Sequence, residues 1–143
     1  MSHSTEDPHT SFDAAAADSL ANHVRDETSR LLQRPLEPGL YLVATPIGNL
    51  GDITLRALSV LARADIVYCE DTRHTGKLTA HFSVGAQLRA LHDDSPPQHW
   101  QEAVRQVLDG KRVGYASDAG MPGVSDPGRR LLRAAWVAGI TPV

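Results

Sequence analysis

The sequence contains one cysteine, Cys69, among its 143 residues. A single cysteine excludes an intrachain disulfide, and its place at the end of an apolar run predicts a buried thiol in a cytosolic protein. Long apolar runs are also missing, since none approaches the roughly 20 residues that cross a membrane. The polar, acidic start lacks the order of a secretion signal. We therefore expect a cytoplasmic protein with no membrane partner.

Several common functional motifs are missing too. The sequence has no G-x-G-x-x-G and no G-x-x-x-x-G-K-[ST], which excludes the usual dinucleotide and Walker loops. It has no G-x-S-x-G elbow. Its seven histidines are scattered, and none pairs with the cysteine at the spacing of metal ligands. We expect no metal site.

Charge is unevenly distributed along the chain. The net charge is −3, but residues 1–38 hold seven acids and three bases, whereas residues 39–143 hold ten acids and eleven bases. A nearly neutral body can still bind RNA through a local basic patch, because phosphate contacts are local. We interpret residues 1–37 as a polar extension, disordered over its first eleven residues and helical from Phe12 to Leu32, and residues 38–143 as a folded domain.

From residue 40 onwards, apolar runs alternate with segments of helical periodicity. This alternation predicts an α/β fold: an open, mainly parallel sheet of about five strands with helices on both faces. The predicted strands are Leu40–Ala44, Asp65–Cys69, Leu88–Leu91, Arg112–Ala116 and one beginning at Ile140–Val143. The predicted helices start near Thr54, Gly76, Pro97 and Pro127.

Polar or glycine-rich junctions follow the strands, and in a parallel sheet they meet at one edge, where ligands bind. Thr45–Asp52 is equally compatible with a ligand wall and with a plain connection capped by Asp52 or Thr54. Ser95 is predicted to cap the helix at Pro97, and Asp126 to cap the last helix. The Asp118 carboxylate is suited to accept hydrogen bonds from a ribose, or to face the positive charge of a sulfonium or amine.

The junction after the second strand groups residues suited to catalysis and phosphate binding. A carboxylate, Glu70 or Asp71, or else His74, is suited to assist proton transfer. Arg73 and Lys77 lie four residues apart, so they share a helix face suited to phosphate. A solvated loop is the alternative interpretation of this charge cluster.

Three segments together resemble a known family. TPIGNLGDIT, EDTRHTGKLTAHF and SDAGMPGVSDPG, in this order and at this spacing, resemble the ribose 2′-O-methyltransferases of small-subunit ribosomal RNA, within the tetrapyrrole methylase superfamily. The resemblance implies S-adenosylmethionine as methyl donor and, as acceptor, a cytidine ribose in the decoding region of 16S rRNA within the 30S subunit. It also implies a homodimer of the full-length protein.

The resemblance assigns roles to individual positions. It implies that the stretch from Glu70 to Arg73 borders the acceptor side. Because a ribose hydroxyl needs a base or a polarising cation, the catalytic candidates are Glu70, Asp71, His74 and Lys77. Arg73 and Lys77 are candidates for contact with the RNA substrate. The residues implied to bind the cofactor follow the first and fourth strands, and they are Pro46, Ser117, Asp118, Ala119, Gly120, Val124 and Ser125.

The sequence departs from the family pattern at Gly76, Met121 and Gly123, and after the third strand. The family has a second α/β domain, which this chain is expected to lack, so we expect residues 1–143 alone to be inactive and to bind cofactor weakly or not at all. Two alternatives remain: a methyltransferase acting on a tetrapyrrole precursor, and a ligand-binding or interaction module without catalysis.

Overall fold

A computed structural model of the chain describes residues 12–117 and 128–143. The chain divides into two compact units, one ending at Arg34 and one running from Pro35 to Val143. The expected disorder of residues 1–11 lies outside the described residues, as do Asp118, Ala119, Gly120, Val124, Ser125 and the predicted cap Asp126.

The first unit contains one helix, α1, at Ala14–Gln33. Asp13 caps it, because its carboxylate accepts hydrogen bonds from the backbone N–H groups of Ala15 and Ala16. The helix was predicted over nearly the same residues. None of its residues is buried, and its apolar side chains Leu20 and Val24 are exposed.

The second unit is built on four parallel strands in the order β1-β4-β2-β3, within the part of the chain that is described. The strands are β1 Gly39–Ala44, β2 Ile66–Cys69, β3 Leu88–Ala90 and β4 Arg112–Ser117. Every residue of β2 is buried, as expected for an apolar run covered on both faces. The helices are α2 Leu55–Arg63, α3 Thr72–His81, α4 Pro97–Leu108 and α5 Gly128–Val137, with a 3₁₀ turn at Leu50–Asp52.

The helices cover the two faces of the sheet in pairs. On one face, Val43 and Val67 pack with Leu61 of α2 and Leu78 of α3. On the other face, strand residues pack against α4 and α5. The strand residues include Leu40, Tyr68 and Tyr115, and the helix residues include Trp100, Ala103, Leu131 and Ala135. The predicted α/β fold with helices on both faces is therefore confirmed.

The predicted fifth strand is not formed among the described residues, so the count of about five strands was one too high. The backbone of Val143 nevertheless lies beside β1. Its N–H donates to the carbonyl of Leu40 at 2.8 Å, and its carbonyl accepts from the N–H of Leu42 at 3.0 Å. These two bonds follow the parallel ladder pattern, but one bonded residue does not make a strand.

Two local predictions need correction. Helix α3 begins at Thr72 rather than near Gly76, because the Asp71 carboxylate caps it by accepting from the N–H of Arg73 at 2.9 Å. Ser95 does not cap α4. Its hydroxyl instead accepts a hydrogen bond from the N–H of His92 at 2.9 Å, and α4 starts at Pro97 without a side-chain cap. Thr54 caps α2, as one of the two predicted alternatives.

Candidate active site

The carboxyl ends of β1 and β4 form the switch point of the sheet. After β1 the chain passes to α2 on one face, and after β4 it continues to α5 on the other face. Where adjacent parallel strands lead to opposite faces, the connections diverge and leave a crevice that binds ligands. We name the region at Ala44 and Ser117, which are register partners, the switch-point crevice, because this is where a sheet of this type binds its ligand.

Buried polar groups join the two sides of this crevice. The hydroxyl of Thr45 donates a hydrogen bond to the carbonyl of Ser117, and both residues are buried. Pro46 is half-buried, and Ile47 is 75% exposed. Of the residues expected to bind cofactor, Pro46 and Ser117 are thus brought to the same edge.

The described residues of the crevice suit an adenosine-type cofactor. Thr45, Pro46, Ile47 and Ser117 carry no charged side chain, so they offer hydroxyl, backbone and apolar contacts to a ligand. Gly48 has φ +84° and no neighbour within 4 Å of the position its Cβ would take, which leaves space beside the turn. These features fit S-adenosylmethionine, whose methyl group is carried on a sulfonium.

A second, more polar depression lies at the ends of β2 and β3. It is an open groove of about 590 Å³, lined by residues from the start of α3 and from the segment after β3. The lining residues are Glu70, Asp71, Thr72, Arg73, Ala90, His92 and Asp94. Since β2 is the direct neighbour of β4, this groove lies on the same edge as the crevice.

Asp71 and Arg73 form an ion pair at this groove. The guanidinium Nε lies 3.3 Å from one carboxylate oxygen of Asp71, and Nη2 lies 3.3 Å from the other. Hydrogen bonds from the side chain and backbone of Arg73 lower the pKa of Asp71 below its usual value. Asp71 therefore stays ionised and is a weaker proton acceptor than an unpaired carboxylate.

The predicted site residues between Glu70 and Lys77 do not all line the groove. Glu70, Asp71 and Arg73 line the groove, whereas His74 and Lys77 are exposed on α3 but are not among the residues that line it. His92 and Asp94 also line the groove, although neither was predicted as a site residue from the sequence. Their position directly after β3 was the available signal, but it has meaning only once β3 is known to pair with β2.

Within residues 12–117 and 128–143, no group of three His, Cys, Asp or Glu side chains is placed to hold a metal ion. In the same ranges, no helix has the length and apolar character needed to cross a membrane.

The parallel sheet, its switch point and the adjacent polar groove define an α/β domain of the kind that binds ligands at the carboxyl ends of its strands. The family model for Tetrapyrrole (Corrin/Porphyrin) Methylases matches residues 39–143, and the chain belongs to this family. The match covers nearly all of the second unit.

Three curated relatives of this chain carry the same name. The chain is 52% identical over 103 residues to a protein of Vibrio cholerae named Ribosomal RNA small subunit methyltransferase I, covering 72% of this chain and 36% of that protein. Proteins of the same name from Mesorhizobium japonicum and Escherichia coli O157:H7 are 50% identical over 107 residues and 48% identical over 101 residues; these cover 75% and 71% of this chain and 36% and 35% of those proteins. The chain thus spans about a third of the length of these relatives.

Proposed function

We propose that this chain is the N-terminal, cofactor-binding part of an S-adenosylmethionine-dependent methyltransferase of small-subunit ribosomal RNA. The observation that carries the proposal is the near-half identity, over about 100 residues, to proteins named Ribosomal RNA small subunit methyltransferase I. We further propose a cytidine ribose 2′-hydroxyl in the decoding region of 16S rRNA as acceptor, the 30S subunit as substrate particle, the cytoplasm as location, and a homodimer for the full-length protein.

The switch-point crevice is the proposed cofactor site. Pro46 and Ser117 would border the cofactor, together with the sequence positions Asp118, Ala119, Gly120, Val124 and Ser125. When bound, the cofactor supplies a methyl group on a positively charged sulfur. The hydrogen bond between Thr45 and the carbonyl of Ser117 links the two sides of the crevice, and such a link favours alignment of donor and acceptor.

The groove at β2 and β3 is the proposed acceptor side. In the transfer the sulfur–carbon bond breaks, an oxygen–carbon bond forms, and the hydroxyl proton must pass to a base. Glu70 and Asp71 are the groove-lining carboxylates predicted for catalysis, and both are candidate proton acceptors. Arg73 is well placed to hold an RNA phosphate. His74 and Lys77 remain candidates for contacts farther along α3.

The test is methyl transfer from labelled S-adenosylmethionine by the full-length gene product. Unmethylated 30S subunits are compared with uroporphyrinogen, because the family description also includes enzymes of tetrapyrroles. We expect label in 16S rRNA, at a ribose 2′-oxygen as read by alkali-resistant dinucleotides. Label in the tetrapyrrole alone would overturn the proposal. Absence of transfer to either substrate, with retained cofactor binding by calorimetry, would favour a non-catalytic module.

A further inference from the structure

A large groove lies between α4 and α5, on the face of the sheet away from α2 and α3. Its volume is about 800 Å³. Apolar side chains form much of it, including Trp100, Val104 and Leu108 from α4 and Val137 from α5. Leu108 is 61% exposed and Val137 84% exposed, so the groove is open to solvent.

Three arginines lie along this groove: Arg105 on α4, and Arg130 and Arg133 on α5. Asp109 is the one acidic residue among the described lining residues. Within residues 12–117 and 128–143, none of the three guanidinium groups forms an ion pair within 4.0 Å. The groove therefore presents unneutralised positive charge above an apolar base.

Arg130 is held in place by two contacts. Its Nη1 donates to the carbonyl of Asp93 at 2.9 Å, and its guanidinium carbon lies 4.7 Å from the centre of the Trp100 ring. Asp93 lies between His92 and Asp94, which line the proposed acceptor groove. Arg130 thus connects the arginine-lined groove to the proposed acceptor side.

We propose that the α4–α5 groove binds an unpaired segment of the substrate RNA that extends beyond the methylated nucleotide. The proposal rests on the proposed function and adds a second contact surface to it. Arginines pair with phosphate oxygens through two N–H groups, and the apolar base of the groove accommodates the faces of unstacked bases. A folded body that is nearly neutral needs such a local patch to hold RNA.

RNA fits the groove better than a second copy of this chain would. Two copies placed groove to groove would bring the same three arginines together, which like-charge repulsion disfavours. An acidic protein segment would also match the charge. Continuity with the acceptor groove through Arg130 and Asp93 favours the RNA, because one strand can reach both surfaces.

The experiment uses the double variant Arg105→Gln/Arg133→Gln in the full-length gene product. Arg130 is left unchanged because its contacts to Asp93 and Trp100 support the local structure. Arg56→Gln/Arg63→Gln on α2 is the matched control, since it removes the same charge from the opposite face. Binding to a 16S rRNA transcript and to unmethylated 30S subunits is measured against salt concentration, and thermal melting checks that both variants fold.

We expect the groove variant to bind both probes roughly ten-fold more weakly at ~0.1 M salt, with a salt slope reduced by about two. The control should bind like the wild type. Unchanged affinity and slope in the groove variant would overturn the proposal. Weaker binding to 30S subunits, with unchanged binding to the bare transcript, would assign the groove to a ribosomal protein and also overturn it. Failure of the wild type to methylate rRNA would instead refute the proposed function.

Discussion

At the scale of single residues, Asp71 serves both the fold and the proposed site. Its carboxylate caps α3 and also accepts both hydrogen bonds from the Arg73 side chain. Arg73 lowers the pKa of Asp71, so this carboxylate stays charged as the pH falls below its usual range. A change of activity around neutral pH would therefore come from a group other than Asp71.

Replacing Arg73 tests the acceptor side directly. We expect Arg73→Ala to raise the KM for 30S subunits roughly ten-fold, the effect of losing one charge-assisted phosphate contact. Arg73→Lys should restore part of the affinity because it keeps the charge without the planar, paired donors. Steady-state methylation by the full-length gene product gives KM and kcat separately.

Two controls accompany this substitution. Lys111→Ala removes a positive charge just before β4, at the opposite edge of the sheet, and should leave the KM unchanged. Asp71→Asn retains an oxygen that can cap α3 while removing the charge that faces Arg73. If Arg73→Ala keeps wild-type KM and kcat, Arg73 does not belong to the site.

At the scale of elements, one ion pair joins the starts of β2 and β4. The Asp65 carboxylate accepts from the backbone N–H of Arg112 at 2.8 Å and from its Nη2 at 3.2 Å, and the N–H of Asp65 donates to the Arg112 carbonyl at 2.8 Å. Hydrogen bonds from the side chain and backbone of Arg112 lower the pKa of Asp65 below 3.8. Folding therefore favours the charged form of this carboxyl.

This shift predicts a pH-dependent contribution to stability. A carboxyl whose pKa is lowered by folding stabilises the folded state at pH values above its unfolded pKa of 3.8. This stabilisation is lost as the pH falls through the pKa of the folded state. Asp65→Asn should thus lower the free energy of unfolding at about pH 7 and have a smaller effect near pH 3. Urea unfolding of both proteins at the two pH values measures this, and an equal difference at both would contradict it.

The sequence predicted the strands better than the helix boundaries. Apolar runs such as Leu40–Ala44 identify strands because burial on both faces requires them. The start of α3 was missed because Asp71 was interpreted as a loop or catalytic residue, whereas it satisfies the free N–H of Arg73. Ser95 was assigned as a cap from its type alone, and its hydroxyl bonds to His92 instead.

At the scale of the whole molecule, the sheet order places the sites. Because β4 lies between β1 and β2, the crevice and the polar groove are adjacent although their residues are far apart in sequence. The α4–α5 groove meets the acceptor side through Arg130 and Asp93.

Cofactor affinity is the prediction that belongs to this scale. The family resemblance implies that the cofactor lies between this domain and a second one, so we expect residues 1–143 alone to bind S-adenosylmethionine weakly or not at all. Calorimetry on this chain and on the full-length gene product measures the difference. Equal affinities would show that the switch-point crevice alone suffices.

The sequence by itself determined the α/β class, the polar junctions after the strands and the family resemblance, because burial periodicity and local motifs are properties of neighbouring residues. The tertiary structure decided which junctions meet. Strand order depends on pairing between distant segments, which local sequence does not encode, so His92 and Asp94 join the groove only through the pairing of β2 with β3. The pairing of β1 with β4 brings Thr45 to Ser117, separated by 72 residues in sequence.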